Sequence, residues 1–190
     1  MTERSRTLAR LSLLAALTFA GQAAGLPQPV TGPFVNAMLL LTLAFVGWGP
    51  AVGVGFVTPA VALLRGVLPP ALGPVVPVIA VGNALLVSVY TAVCRLWGCR
   101  PTSPGWLAGL AAVGTAALGK FLWLSLCVQL LLPVAVGLRL PAAATFALTT
   151  VQLSTALAGG IGALLISAAL RRTGLFSALR QGKRTRSPQP

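Results

Sequence analysis

Long apolar runs, separated by short segments rich in glycine, proline or arginine, dominate this chain. Each run is close to the roughly 20 residues that a helix needs to cross the hydrocarbon core of a bilayer. The pattern therefore predicts an all-α integral membrane protein, a bundle of about six transmembrane helices. The predicted helices cover residues 7–24, 33–46, 51–68, 74–94, 106–132 and 143–170.

Helix-breaking residues give these boundaries. Pro27 and Pro29 follow the first run, and Gly47-Trp48-Gly49-Pro50 predicts a tight turn after the second. Pro59 predicts a kink in the third helix. The second and third runs are short and rich in glycine and proline, so a re-entrant backbone is an alternative for them.

Composition supports lipid as the solvent. Of the 190 residues, 56% are apolar and only 8% are charged, whereas a soluble domain carries about 25% charged residues. We therefore expect a multi-pass protein of the cell membrane. It has one transmembrane domain, residues 1–170, and a basic, disordered cytoplasmic tail, residues 171–190.

The basic residues predict the orientation. The chain has 14 lysines and arginines and a single acidic residue, Glu3. With six crossings, Arg65 and Arg139 fall on one side of the membrane, and Lys120 falls within a helix. Eleven basic residues fall on the other side, and this asymmetry predicts that both termini are cytoplasmic. It also explains the high positive charge of the chain better than nucleic-acid binding does. The other side holds Arg4, Arg6, Arg10, Arg95, Arg100, Arg171, Arg172, Arg180, Lys183, Arg184 and Arg186.

The first 23 residues admit a second interpretation. A basic start, the apolar run 11–20 and the small residues near Gly21 also fit a cleavable signal peptide, which would leave five crossings. The apolar run already begins at Leu8, which favours a retained helix.

The residues that usually carry catalysis are missing from the sequence. It has no histidine and no aspartate, and hence no histidine-based triad or carboxylate pair. Cys94, Cys99 and Cys127 form no CxxC motif and are expected to be packing residues. We expect no enzymatic activity, no metal and no cofactor.

Lys120 is the most informative position. It falls near the middle of the fifth helix, where an ionisable side chain is costly and indicates function by default. Ala112 and Ala116 precede it at intervals of four, and small residues mark the protein-facing side of a membrane helix. Lys120 is therefore predicted to point into the bundle. Snorkelling to an interface is the alternative.

Other polar residues are predicted at similar depth or nearer the outside. Together they suggest an outward-facing pocket for a small organic molecule that carries an anionic group. Hydrogen bonds between helices alone would also explain them. The predicted substrate-binding residues are Asn36, Arg65, Asn83, Lys120, Gln129 and Gln152.

The first helix carries a stripe of small residues. Ser12, Ala16, Ala20 and Ala24 recur every four positions, which lets another helix approach closely. Packing within the chain is the simpler interpretation of the stripe taken alone.

Several apolar motifs, running from the first helix to Leu170, resemble the S components of energy-coupling factor transporters. These are small membrane subunits that capture vitamins. Some relatives of this type carry the label "iron hydrogenase", but this sequence has no ligand cluster for such chemistry. The motifs are Thr31-Gly32-Pro33, Val35-Asn36-Ala37, Gly47-Trp48-Gly49-Pro50, Leu63-Leu64-Arg65-Gly66, Leu68-Pro69-Pro70, Pro74, Pro77, Val81-Gly82-Asn83-Ala84, Lys120-Phe121 and Gln152 through Thr155-Ala156 to Gly159-Gly160.

The resemblance implies six helices, an outward-facing pocket, and partners that supply the energy. These partners are a transmembrane coupling subunit and two ATPase subunits. An Ala-x-x-x-Ala motif on the first helix contacts the coupling subunit in such proteins, and Ala16 and Ala20 match it. The sequence has no phosphate-binding loop of its own.

Two function classes follow from these observations. The first is a solute-capture subunit of an importer. The second is a structural or assembly protein of the membrane, whose polar residues only hold its helices together. The sequence does not identify the solute.

Overall fold

The computed structural model of the protein describes residues 2–101 and 104–172, whose regular elements are helices. A 3₁₀ turn, Pro70–Val75, leads into α4, and a π turn, Cys127–Leu131, joins α5 to α6, so that the helical segments form six rods. The all-α prediction is confirmed. The helices are α1 (Glu3–Ala23), α2 (Gln28–Phe45), α3 (Trp48–Leu64), α4 (Val76–Leu96), α5 (Trp106–Leu126), α6 (Leu132–Val136), α7 (Ala142–Leu148) and α8 (Thr150–Arg172).

Neighbouring rods run in alternate directions because short connections join them. α1 packs on α2 and α3, α4 packs on α3 and α5, and α8 packs on α2 and α5. Glu3 and Arg172 therefore lie at one end of the bundle, called here the terminal end. The connections 24–27, 65–69 and 137–141 lie at the other, called here the loop end. Arg65, in the 65–69 connection, donates from Nη2 to the carbonyl oxygen of Ala23, the last residue of α1, at 3.5 Å.

The predicted boundaries of the second and third helices were wrong. α2 begins at Gln28, five residues early, because Pro29 occupies the first turn, where its missing N–H is not needed. Gly47 alone makes the turn after α2, with φ at 135°, and Trp48 already starts α3. α3 ends at Leu64 rather than Leu68. α2 and α3 are each continuous helices, and whether each of them crosses the membrane stays a prediction.

The last two predicted helices also differ from the structure. The fifth rod continues to Val136 and stops at Gly137, whose φ of 66° ends the helix. The sixth is broken at Thr149, with φ −113° and ψ −79°, into α7 and α8. α8 includes Arg171 and Arg172; the rest of the predicted tail, 173–190, lies outside the described residues.

Four segments are long and apolar enough to cross a membrane: Gln28–Phe45, Pro70–Leu96, Trp106–Val136 and Ala142–Arg172. α3 is apolar but shorter, and α1 is not among them, since its first turns carry Arg4, Arg6 and Arg10. Large apolar side chains such as Leu122 and Leu165 are exposed on the outside of the rods, which suits lipid rather than water. The number of crossings and the side of the termini stay predictions.

Glycines bring α2 close to α8. A Cβ atom at Gly159 would collide with the carbonyl oxygen of Pro33 and lie 2.8 Å from the Cβ atom of Asn36, and one at Gly32 would lie 2.7 Å from Thr155. Small residues allow this approach without a hydrophobic driving force between helices in lipid. The contact fixes Asn36 at the centre of the bundle, facing α5.

Candidate functional site

Lys120 lies inside the bundle, as its spacing from the small residues predicted. Its side chain is only 2% exposed, and Ala112 and Ala116 on the same face are fully buried. Its Nζ atom donates to Asn36 Oδ1 at 2.9 Å and to Asn83 Oδ1 at 2.8 Å. The one acidic residue, Glu3, is exposed and lies at the terminal end, so amide oxygens and not a carboxylate surround this amine.

Pro59 determines how Asn83 is oriented. Proline has no N–H, so the carbonyl of Gly55, one turn earlier in α3, loses its helical donor. Asn83 Nδ2 donates to that carbonyl at 3.0 Å and to Thr58 Oγ1 at 3.1 Å. Because the amide nitrogen is held on α3, the amide oxygen of Asn83 faces Lys120. The proline predicted to kink α3 thus also positions the site.

Asn36 differs from Asn83 in having a free donor. Its Oδ1 accepts from Lys120, but its Nδ2 donates to no other described residue, although the side chain is buried. A protonated lysine amine carries three N–H donors, and two of those of Lys120 are used. The remaining proton of Lys120 and the amide protons of Asn36 are therefore available to a bound molecule.

A cavity of about 330 Å³ opens beside these groups, between the six rods at the loop end. Lys120, Asn36 and Asn83 lie near the middle of their rods and form the deep end of the cavity, whereas residues 67–72 and the α1–α2 junction lie nearer the loop end and surround its mouth. The lining residues are Gln22, Gln28, Thr31, Gly32, Val35, Asn36, Thr58, Pro59, Ala62, Val67, Leu68, Pro69, Leu72, Ile79, Asn83, Lys120, Ala144, Ala147, Leu148 and Gln152.

Two further amides in the lining lack protein partners. Gln22 is 9% exposed and Gln152 is 7% exposed, and within residues 2–101 and 104–172 neither side chain makes a hydrogen bond. Buried polar groups are nearly always hydrogen-bonded, since leaving one unpaired costs about 1–3 kcal/mol. Water or a ligand in the cavity must therefore satisfy them.

Four of the six predicted substrate-binding residues line this cavity: Asn36, Asn83, Lys120 and Gln152. Arg65 does not; it is exposed beyond the end of α3. Gln129 is exposed on the π turn. Gln129 follows Lys120 by nine residues, and each residue of a helix rotates by about 100°, so the two side chains lie on opposite sides of the rod. Gln129 therefore does not share the pocket.

Sequence reasoning did not select Gln22, Gln28, Thr31 or Thr58, which also line the cavity. Gln22 carried a usable signal, because it is the only amide side chain in α1. In the sequence, Gln22 lies beside the small residues that also fit a signal-peptide cleavage site, so it was not considered as a lining residue. Its position toward the cavity follows from the packing of α1 on α2 and α3.

The small stripe of α1 faces away from the bundle. Ser12, Ala16, Ala20 and Ala24 are exposed, while Thr18 and Gln22 on the opposite face are buried. Ala16 and Ala20, the docking residues that the resemblance implies, therefore lie on the outside of the bundle. The partner they would contact stays a prediction.

The described residues include no cluster of three or more metal-ligating side chains. Ser125 has a buried hydroxyl with no hydrogen bond, but a separation of five residues turns it away from Lys120 on the helix. The three cysteines form no disulfide bond. The arrangement is one that can bind and orient a small molecule.

No protein-family model, curated protein or solved structure matches this chain. The fold and the site define a class, a helical protein with four segments that are long and apolar enough to cross a membrane, and with a mostly apolar cavity that contains a buried lysine and amides. The resemblance to S components stands on its motifs alone.

Proposed function

We propose that this protein is the substrate-capture subunit of an ATP-driven importer of the energy-coupling factor type. It binds a vitamin-like small molecule in the plasma membrane. The observation that carries the proposal is the cavity at the loop end, with Lys120, the free amide donor of Asn36 and the unpaired amide of Gln152 in its lining. A protein that only needed a tight core would fill this space with apolar side chains.

The orientation of the cavity agrees with capture from outside. The positive-inside rule puts the terminal end, rich in arginine, on the cytoplasmic side, so that the loop end and the cavity mouth face outward. Trp48, Trp97 and Trp106 are exposed at the terminal end, where an interfacial belt of tryptophan suits a membrane boundary.

Transport would need partners, since the sequence has no phosphate-binding loop. The proposed partners are a transmembrane coupling subunit and two ATPases. The exposed Ala16–Ala20 face of α1 is the proposed contact with the coupling subunit, because it offers close backbone approach on the side that the bundle leaves uncovered.

Ligand-dependent stabilisation tests the capture function. The purified protein in lipid nanodiscs would be screened with vitamins and their precursors while its melting temperature is followed. A ligand that binds only the folded state raises stability by about 2.7 kcal/mol at 100 times its Kd. Co-expression with a coupling module, followed by uptake into vesicles, tests the transport function. Failure of every compound to stabilise the protein would contradict the proposal.

One observation favours a second function. The hydrogen bonds from Lys120 connect α5 to α2 and α4, as expected if the polar residues served only to hold helices together in a structural or assembly protein. In that case no small molecule would stabilise the protein, and removal of Lys120 would lower its melting temperature.

A further inference from the structure

We infer that the cavity takes a monocarboxylate with an aliphatic body, and that its carboxylate sits against Lys120 Nζ and Asn36 Nδ2. The inference rests on the proposed capture function and adds the chemical class of the ligand.

The charges of the lining determine the charge of the ligand. The lining has one cationic side chain, Lys120, and no acidic one. A buried cation without a charged partner is unfavourable, and one bound negative charge would compensate it. An amine ligand would add a second positive charge. A phosphate ester would leave excess negative charge, and the lining lacks the arginine forks that usually bind phosphate.

The free donors match the two oxygens of a carboxylate. Lys120 Nζ lies 2.9 Å from the oxygen of the Asn36 amide, so the nitrogen of the same amide is close beside it. The amide nitrogen of Asn83 is already occupied by Gly55 and Thr58. The free donors at the deep end are therefore the remaining lysine proton and the amide protons of Asn36, and a carboxylate accepts both.

The apolar residues that line the cavity determine the chemistry of the rest of the ligand, away from its carboxylate. These residues are aliphatic and include Val35, Ile79 and Leu148. No phenylalanine, tyrosine or tryptophan is among the lining residues. An aromatic ring would find no stacking partner there. The unpaired amides of Gln22 and Gln152 can bind a neutral amide or hydroxyl on the ligand. A short N-acyl amino acid with an aliphatic acyl group combines these features.

Matched probes test the ligand class. N-butanoyl-β-alanine and N-hexanoyl-β-alanine would be compared with their methyl esters, with O-phosphoethanolamine amides of the same acyl groups, and with N-benzoyl-β-alanine. Binding would be measured calorimetrically to protein in nanodiscs, with empty nanodiscs as the partition control. We expect the aliphatic carboxylates to bind at least about ten-fold more tightly than the esters, which is the loss of one charge-assisted contact. Equal binding of acid and ester, or no binding of the acids, overturns the inference.

Asn36→Asp tests the position of the carboxylate. The new carboxylate is nearly the same size, pairs with Lys120 and repels a second carboxylate. Affinity for the acids should fall about ten- to a hundred-fold, while the melting temperature without ligand stays equal or rises. Affinity for the methyl ester is the internal comparison and should fall by a smaller factor, because the ester is uncharged and the new carboxylate does not repel it by charge. Acid affinity equal to that of the wild type in this variant overturns the inference.

Asn83→Asp supplies the contrast. It places an oxygen where an amide nitrogen now donates to Gly55 and Thr58, so it should lower the melting temperature, unlike Asn36→Asp. The two proposals fail separately. Stabilisation by an amine or a phosphate ester would overturn the carboxylate inference and leave capture intact, whereas no stabilisation by any compound would contradict both.

Discussion

Replacing Lys120 with methionine separates a binding lysine from a structural one. Methionine has a similar length and fills the same path through the core without a void. The substitution removes two hydrogen bonds, to Asn36 and Asn83. Polar contacts between membrane helices average about 0.6 kcal/mol each, so the direct loss is roughly 1 kcal/mol. Removing a buried, uncompensated cation offsets this loss.

We therefore expect the melting temperature of Lys120→Met without ligand to change little or to rise. The oxygens of Asn36 and Asn83 border a cavity of about 330 Å³, which is roomy enough for water to hydrogen-bond them. Ligand affinity should fall, because the charge-assisted contact is worth about 1.5–3 kcal/mol, or roughly ten- to a hundred-fold in Kd.

The assay is thermal unfolding and ligand titration of both proteins in nanodiscs. Gln129→Leu is the matched control, since it also replaces a polar residue of the same rod by an apolar one but lies outside the cavity lining. It should bind as the wild type does. Unchanged ligand affinity in Lys120→Met would remove Lys120 from the site. If the amides of Asn36 and Asn83 were left unpaired in Lys120→Met, its melting temperature would fall strongly. That result would support the structural function instead.

Three further perturbations test the fold, the docking face and the orientation. Gly159→Ala should destabilise the protein by about 1–3 kcal/mol through collision with α2, whereas Gly162→Ala, where a Cβ atom meets open space, should not; equal unfolding curves would refute the α2–α8 contact. Replacing Ala16 and Ala20 with leucine should abolish co-purification with a coupling subunit and preserve ligand binding; loss of ligand binding with the partner still attached would refute docking. A reporter fused after Arg172 should report a cytoplasmic location, and a periplasmic or extracellular signal would reverse the proposed orientation.

The sequence alone was sufficient for the class of the fold and for the central residue of the site. Apolar runs of spanning length predict helices because lipid leaves backbone groups no other partners. Lys120 could be assigned to the interior because a cation in mid-helix is costly and small residues at intervals of four mark the packed face. The prediction that Gln129 shares the pocket with Lys120 was wrong, and it could have been rejected from the sequence, because a spacing of nine residues puts two side chains on opposite sides of an α-helix.

Tertiary packing decided which groups meet. Lys120 is 84 residues from Asn36 and 37 residues from Asn83 along the chain. Only the close approach of α5 to α2 and α4 brings its Nζ atom within 3 Å of both amide oxygens. Periodicity places a residue on a face of its own helix but carries no information about the neighbour of that face. The exposed position of Arg65, the inward position of Gln22 and the orientation of Asn83 by Pro59 all depended on that neighbour, which is why they appeared only in the folded bundle.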